Sequence, residues 1–201
     1  MSWWLKTKAV PQVIATMLAA LLLTALAQDE AIPVPTIVGP SGQLLFGEIL
    51  GMLPTVVLLY GIERGDTMAE EVAVRPARPR TLVLCLSYVL VITVLAALVH
   101  AVFDRPDVLS MARNSIGFLG VALILRALVG PGIAAIAIAA LPLFCAAAGR
   151  RPGGTAQPWA WPIHPAASAL ALAEAGILLL VGCLLLLWRR RPVANLLALG
   201  V

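Results

Sequence analysis

The chain has 201 residues, 61% of them hydrophobic and only 12% charged, whereas soluble domains carry about twice that share of charge. So little polar surface cannot solvate a free-standing core, which excludes a soluble enzyme and points to one membrane domain over residues 1–201. The net charge of +4 is no nucleic-acid footprint, because the basic residues flank apolar runs, where they orient helices and meet anionic lipid head groups.

Six apolar runs, each near the ~20 residues a helix needs to cross a bilayer, fall at 11–27, 44–61, 81–102, 115–129, 131–148 and 166–188. They predict an all-α polytopic bundle of six transmembrane helices. Ahead of the first run, Met1–Gln12 is amphipathic, with Trp3 and Trp4 suited to head-group depth and Lys6 and Lys8 reaching water. The first run ends in Ala25-Leu26-Ala27, which imitates a signal-peptide cleavage site. It exceeds the usual ~7–15-residue apolar region of such peptides, so it reads as a retained span.

Gln28–Gln43, with Asp29 and Glu30 and no basic residue, reads as an outer loop. The second span carries Gly47 and Gly51 at four-residue spacing around Glu48, and Pro54, which predicts a kink. The connector Glu63–Arg80 has legible architecture: Thr67-Met68-Ala69-Glu70 fits a capping box. Asp66, Glu70 and Glu71 suit the positive end of a helix dipole. Met68 and Val72 form a small apolar face, and Arg75-Pro76 with Pro79 ends the element after about two turns. The expectation is a short helix lying on the inner membrane surface.

Gly130-Pro131-Gly132 divides what would be one over-long helix into spans four and five. Gly149–His164, with Pro152, Pro158, Pro162, Trp159 and Trp161, is long for an outer connector and suits a re-entrant element. Ala167, Ala171 and Ala175 repeat along span six, and such small residues let helices approach closely. Spans two and six are therefore expected to be buried.

Ionisable residues inside spans are costly, up to ~2.5–3.5 kcal/mol for an acidic residue at the centre. Glu48 and Glu174 each admit two readings, a helix-packing hydrogen bond or a place on a substrate path. Arg126 is expected to snorkel to the inner surface. Lys6, Lys8, Arg64, Arg75, Arg78, Arg80, Arg126 and Arg189–Arg191 make ten of the fourteen basic residues on one side of the six-span scheme, which places both termini in the cytoplasm. Arg105, Arg113, Arg150 and Arg151 fall opposite.

Cys85, Cys145 and Cys183 lie singly in apolar runs and read as small core residues, with neither disulfide nor metal spacing. His100 and His164 fall at span ends and read as interfacial imidazoles. There is no G-x-x-x-x-G-K-[ST], H-E-x-x-H, G-x-S-x-G or C-x-x-C, so no nucleotide, metal or other cofactor is expected and the chain does not read as an enzyme. Glu70-Glu71-x-x-x-Arg75 matches a string of intramembrane CAAX-type proteases, but Ala96 and Ala160 stand where that family needs phenylalanine before histidine.

The order of parts resembles the membrane subunit of an ATP-binding cassette (ABC) type-2 exporter. The resemblance rests on Gly61-Ile62-Glu63-Arg64-Gly65-Asp66-Thr67-Met68-Ala69-Glu70-Glu71, then Arg75-Pro76-Ala77-Arg78-Pro79-Arg80-Thr81-Leu82 leading into span three. Six spans with both ends inside, and His164-Pro165 opening span six after a re-entrant region, support it. The resemblance implies a coupling helix that contacts a separate ABC ATPase through Glu63, Thr67, Met68, Glu70, Glu71 and Arg75. It also implies a homodimer or heterodimer of permease subunits in the cell membrane, exporting a small or amphiphilic substrate. The short N-terminal segment and small outer loops depart from the family pattern. A non-transporting scaffold or immunity-type membrane protein, and the protease, are the other readings.

Overall fold

The computed structural model describes residues 8–27, 31–34, 42–64 and 77–188. The chain is an all-α bundle: α1 (Val10–Leu26), α2 (Phe46–Leu50), α3 (Met52–Arg64), α4 (Ala77–Phe103), α5 (Pro106–Val129), α6 (Pro131–Ala148) and α7 (Ala169–Trp188). Between α1 and α2 lie two short antiparallel strands, β1 (Ala31–Val34) and β2 (Gly42–Leu45), with Ala31 opposite Leu45 and Val34 opposite Gly42. α2 and α3 together, and each of α4 to α7, are long and apolar enough to cross a membrane. The protein is membrane-embedded. The 17 residues of α1 rise about 25 Å at ~1.5 Å each, just short of a ~30 Å hydrocarbon core.

Side-chain contacts establish an up-and-down order. Lys8 Nζ donates to Ile62 O at 3.1 Å and Arg126 pairs with Glu63, so the start of α1 and the ends of α3 and α5 share one end of the bundle. At the other end, a Cβ on Gly47 would lie 3.1 Å from Thr24 Cγ2 and 3.3 Å from the Asp107 carbonyl. The end of α1 meets the starts of α2 and α5 there. Gly130 alone joins α5 to α6; its φ of 92° suits glycine, and Pro131 then opens α6 without forfeiting a helical hydrogen bond.

α5 is the hub. In its most apolar stretch 72% of the residues are buried, against 22% for α4 and 17% for α7, whose other faces meet lipid. Small residues let its neighbours reach it. A side chain on Gly120 would strike the backbone of Leu178 and Leu179, and one on Gly182 would lie 2.8 Å from Gly120 O, while Ala171 and Ala175 are fully buried. Where α3 crosses α5, Ser115 Oγ donates to Gly51 O at 2.9 Å, and Thr55 Oγ1 lies 3.3 Å from Ser115 O and 3.2 Å from the Tyr88 hydroxyl of α4. This buried polar knot is hydrogen-bonded throughout, as hydrocarbon surroundings demand.

Several sequence expectations shift. Span four begins at Pro106 rather than at 115, because Arg113 and Asn114 find acceptors inside the protein. The second span starts at Phe46 and runs to Arg64, with its break at Gly51. Pro54 cannot donate to Leu50 O, so the missing ladder bond coincides with that break and the proline sits in the first turn of α3. Likewise α4 begins at Ala77 with Pro79 in its first turn, ahead of the expected 81. The stretch 28–43, expected as an outer loop, contains β1 and the first half of β2. Span six opens at Ala169 and is not a buried helix; only its small-residue stripe is covered. Cys85 and Cys145 are buried in the core, as expected of small apolar residues, and Cys183 is half-buried.

Candidate functional site

The two ends of the bundle hold its polar chemistry, and the end bearing Arg113 is the more elaborate. Arg113 is on α5, about two turns below Pro106, and only 4% exposed. Its guanidinium donates to Pro165 O at 2.7 Å, His164 O at 2.9 Å, Trp161 O at 3.2 Å and, through Nε and Nη2, to Asn114 Oδ1 at 3.2 and 3.0 Å. Asn114 Nδ2 in turn donates to Pro162 O at 2.9 Å. All these acceptors are neutral. The Arg113 and Asn114 donors thereby cap carbonyls in and just after the 3-10 turn Trp161–Ile163 and fasten the segment between α6 and α7 onto the bundle.

That segment, 149–164, for which the sequence suggested a re-entrant element, folds back onto the bundle. Trp161, Pro162 and Ile163 are buried. The Trp161 ring lies 5.8 Å from that of Phe118, and a side chain on Gly117 would strike it, so glycine at 117 makes the seat. Gln157 N donates to Gly149 O at 2.7 Å, and the His164 ring bonds Gln157 O at 3.0 Å and Ser168 Oγ at 3.4 Å. Phe144 and Trp159 add a second aromatic contact, their centroids 5.7 Å apart.

Glu48 belongs to this end. It is 4% exposed and its Oε2 accepts the Leu45 amide at 3.0 Å, so it closes the first turn of α2 and complements the helix dipole. Arg150 and Arg113 lie within electrostatic reach of it, as does the like-charged Asp107. Glu174 differs. Its Oε2 is buried and has no hydrogen-bond partner among the described residues.

At the Lys8 end the polar contacts are fewer. Lys8 is 2% exposed and meets the last turn of α3, where carbonyls lack intrahelical partners. Gly61 lets it approach, since a side chain there would strike the Lys8 carbonyl. Arg126 does not merely snorkel: its Nε donates to Glu63 Oε1 with both side chains part-buried. Of the residues expected to contact an ATPase, Glu63 is thus held within the chain. Thr67, Met68, Glu70, Glu71 and Arg75 lie outside the described residues, as do Lys6 and Arg189–Arg191.

Sequence reasoning missed Arg113 and Asn114, which it left in a connector. The available signal was Pro106-Asp107, a proline at the first helical position followed by an acid in the first turn. Among the described residues no group of His, Cys, Asp and Glu is arranged to hold a metal ion. No family model matches the chain, and neither does any curated protein or solved structure.

Proposed function

We propose that this chain is the permease subunit of an ATP-driven exporter of the ABC type-2 class, in the cell membrane. It works as a homodimer or heterodimer with a separate ATPase. The observation that carries the reading is the anchorage of the α3–α4 connector: its root, Glu63, is tied to Arg126 on α5, the helix against which α3, α4, α6 and α7 all pack. A force applied to the connector from the cytoplasmic side is thereby delivered to the hub rather than lost in a loop. The helix reading of Thr67–Val74, capped by Thr67 and Glu70, supplies the rigid lever, with Glu70, Glu71 and Arg75 as contacts for the ATPase. The outer element fastened by Arg113 closes the opposite end, as an exporter's outer face requires between cycles.

The test is co-purification of the tagged chain with an ATPase bearing a P-loop, followed by ATP turnover of the complex in proteoliposomes. The double substitution Glu70→Ala/Glu71→Ala is expected to lower stimulated turnover roughly tenfold, the loss of a charge-assisted contact. Unchanged assembly and turnover would remove the lever from the account.

A further inference from the structure

The start of α1 is bent against the end of α3 in a strained conformation. Ala9, the residue ahead of α1, has φ 54° and ψ 28°, in the left-handed region. One other non-glycine residue among those described has a positive φ, Asp104, and its short polar side chain suits that region. Alanine has no such group, and its Cβ crowds the following carbonyl oxygen there. Strain of this kind persists only where the surroundings over-determine the conformation.

Here the surroundings are the last turn of α3. A side chain on Gly61 would strike the Lys8 carbonyl and lie 3.4 Å from Ala9 Cβ, so the backbone of Lys8 is seated directly on that glycine. Lys8 Nζ reaches on to Ile62 O at 3.1 Å, and Lys8 and Ala9 are each 2% exposed. Returning Ala9 to the right-handed well would redirect the chain before it and lift Lys8 off Gly61. Forbidden φ values separate the two wells, so this joint has two positions and no continuous range between them. The next residue of α3, Glu63, is tied to Arg126 of α5. Consecutive residues at the end of α3 are thus held by two different helices, one residue before Arg64 leads into the connector.

We propose that Lys8, Ala9 and Gly61 form a two-position clasp between α1 and α3. The buried Lys8 contact holds it shut and the strain at Ala9 biases it open, so a shift of the end of α3 releases the start of α1. The clasp converts a small displacement of Ile62 and Glu63 into a discrete change at a helix that the connector does not itself join. Only the source of the displacement, a force arriving through the connector, rests on the exporter reading; the clasp stands without it.

Amine footprinting of the full chain in nanodiscs tests the clasp, because the chain has two lysines, Lys6 and Lys8, and the Lys8 amine is reachable only when the seat is open. A small acetylating ester is applied and the acetylation rate of Lys8 is read by mass spectrometry after digestion. Ala9→Gly, which removes the strain while keeping the geometry, should slow Lys8 acetylation about fivefold. Gly61→Ala, which fills the seat, should speed it about tenfold. Glu63→Gln, which loosens the end of α3 from α5, should speed it about threefold, the effect that a purely local Lys8 contact would not show. A rate in Ala9→Gly equal to or above that of the wild type would overturn the strained clasp, and an unchanged rate in Glu63→Gln would overturn its link to the end of α3. No ATPase is present, so these failures are distinct from the failure of an ATPase to co-purify, which would remove the exporter reading alone.

Discussion

The two ends of this bundle solve the same problem, the unsatisfied polar groups of helix termini, by different chemistry. At the Arg113 end one guanidinium and one amide gather four backbone carbonyls from the single segment between α6 and α7, two of the bonds buried and two part-buried. At the Lys8 end, a lysine on a helix terminus and the part-buried pair Glu63–Arg126 join segments that are far apart in sequence. Desolvated hydrogen bonds to a charge are strong and expensive to break singly, whereas a part-buried ion pair is weakened by solvent and salt. The buried Lys8 contact belongs with the first kind of bond, so the contrast between the ends rests on Arg113 against the Glu63–Arg126 pair.

The sharpest way to break this contrast is to remove Arg113. Arg113→Leu leaves the carbonyls of Trp161, His164 and Pro165 without their donor and should lower stability by about 3–5 kcal/mol. Thermal unfolding in detergent, together with faster proteolysis within 149–160, would register it; Arg113→Lys should recover less than half, since an ammonium lacks the guanidinium fork. Next in size is Gly120→Val. It drives a side chain into the backbone of α7 and should cost about 2–3 kcal/mol by overpacking, read as a lower midpoint in denaturing-detergent titration. Gly117→Ala sharpens the comparison more gently. By pressing on the Trp161 ring it should red-shift tryptophan emission and cost about 1–2 kcal/mol. The smallest effect belongs to the Lys8 end: Glu63→Gln should cost no more than about 1 kcal/mol, and less in high salt. A cost for Glu63→Gln rivaling that of Arg113→Leu would erase the distinction between the ends.

The helical bundle was legible because its signal is local: hydrophobic runs of bilayer length, and a Gly-Pro-Gly break that coincides with the α5–α6 turn at Gly130. The beginning of α5 was not, because Arg113 and Asn114 look like loop residues until the carbonyls from 161–165 are brought to them across about fifty positions of sequence. The same limit hid the partnership of Glu63 and Arg126, 63 residues apart. Alanine spacing revealed the covered stripe of span six at Ala171 and Ala175, but not at Ala167, which is exposed ahead of the helix, and it said nothing of the other sides. Burial of a helix depends on how many neighbours surround it, and α7 leans mainly on α5.

The account stands on which end faces the cytoplasm, and single-cysteine labelling measures that directly. With Cys85, Cys145 and Cys183 replaced by alanine, Thr67→Cys and Gly154→Cys are treated in intact cells with a membrane-impermeant maleimide. The account predicts that Gly154→Cys reacts at once and that Thr67→Cys reacts only after the membrane is opened. Labelling of Thr67→Cys in intact cells, with Gly154→Cys protected, would place the connector beyond reach of any ATPase and contradict the function proposed for it.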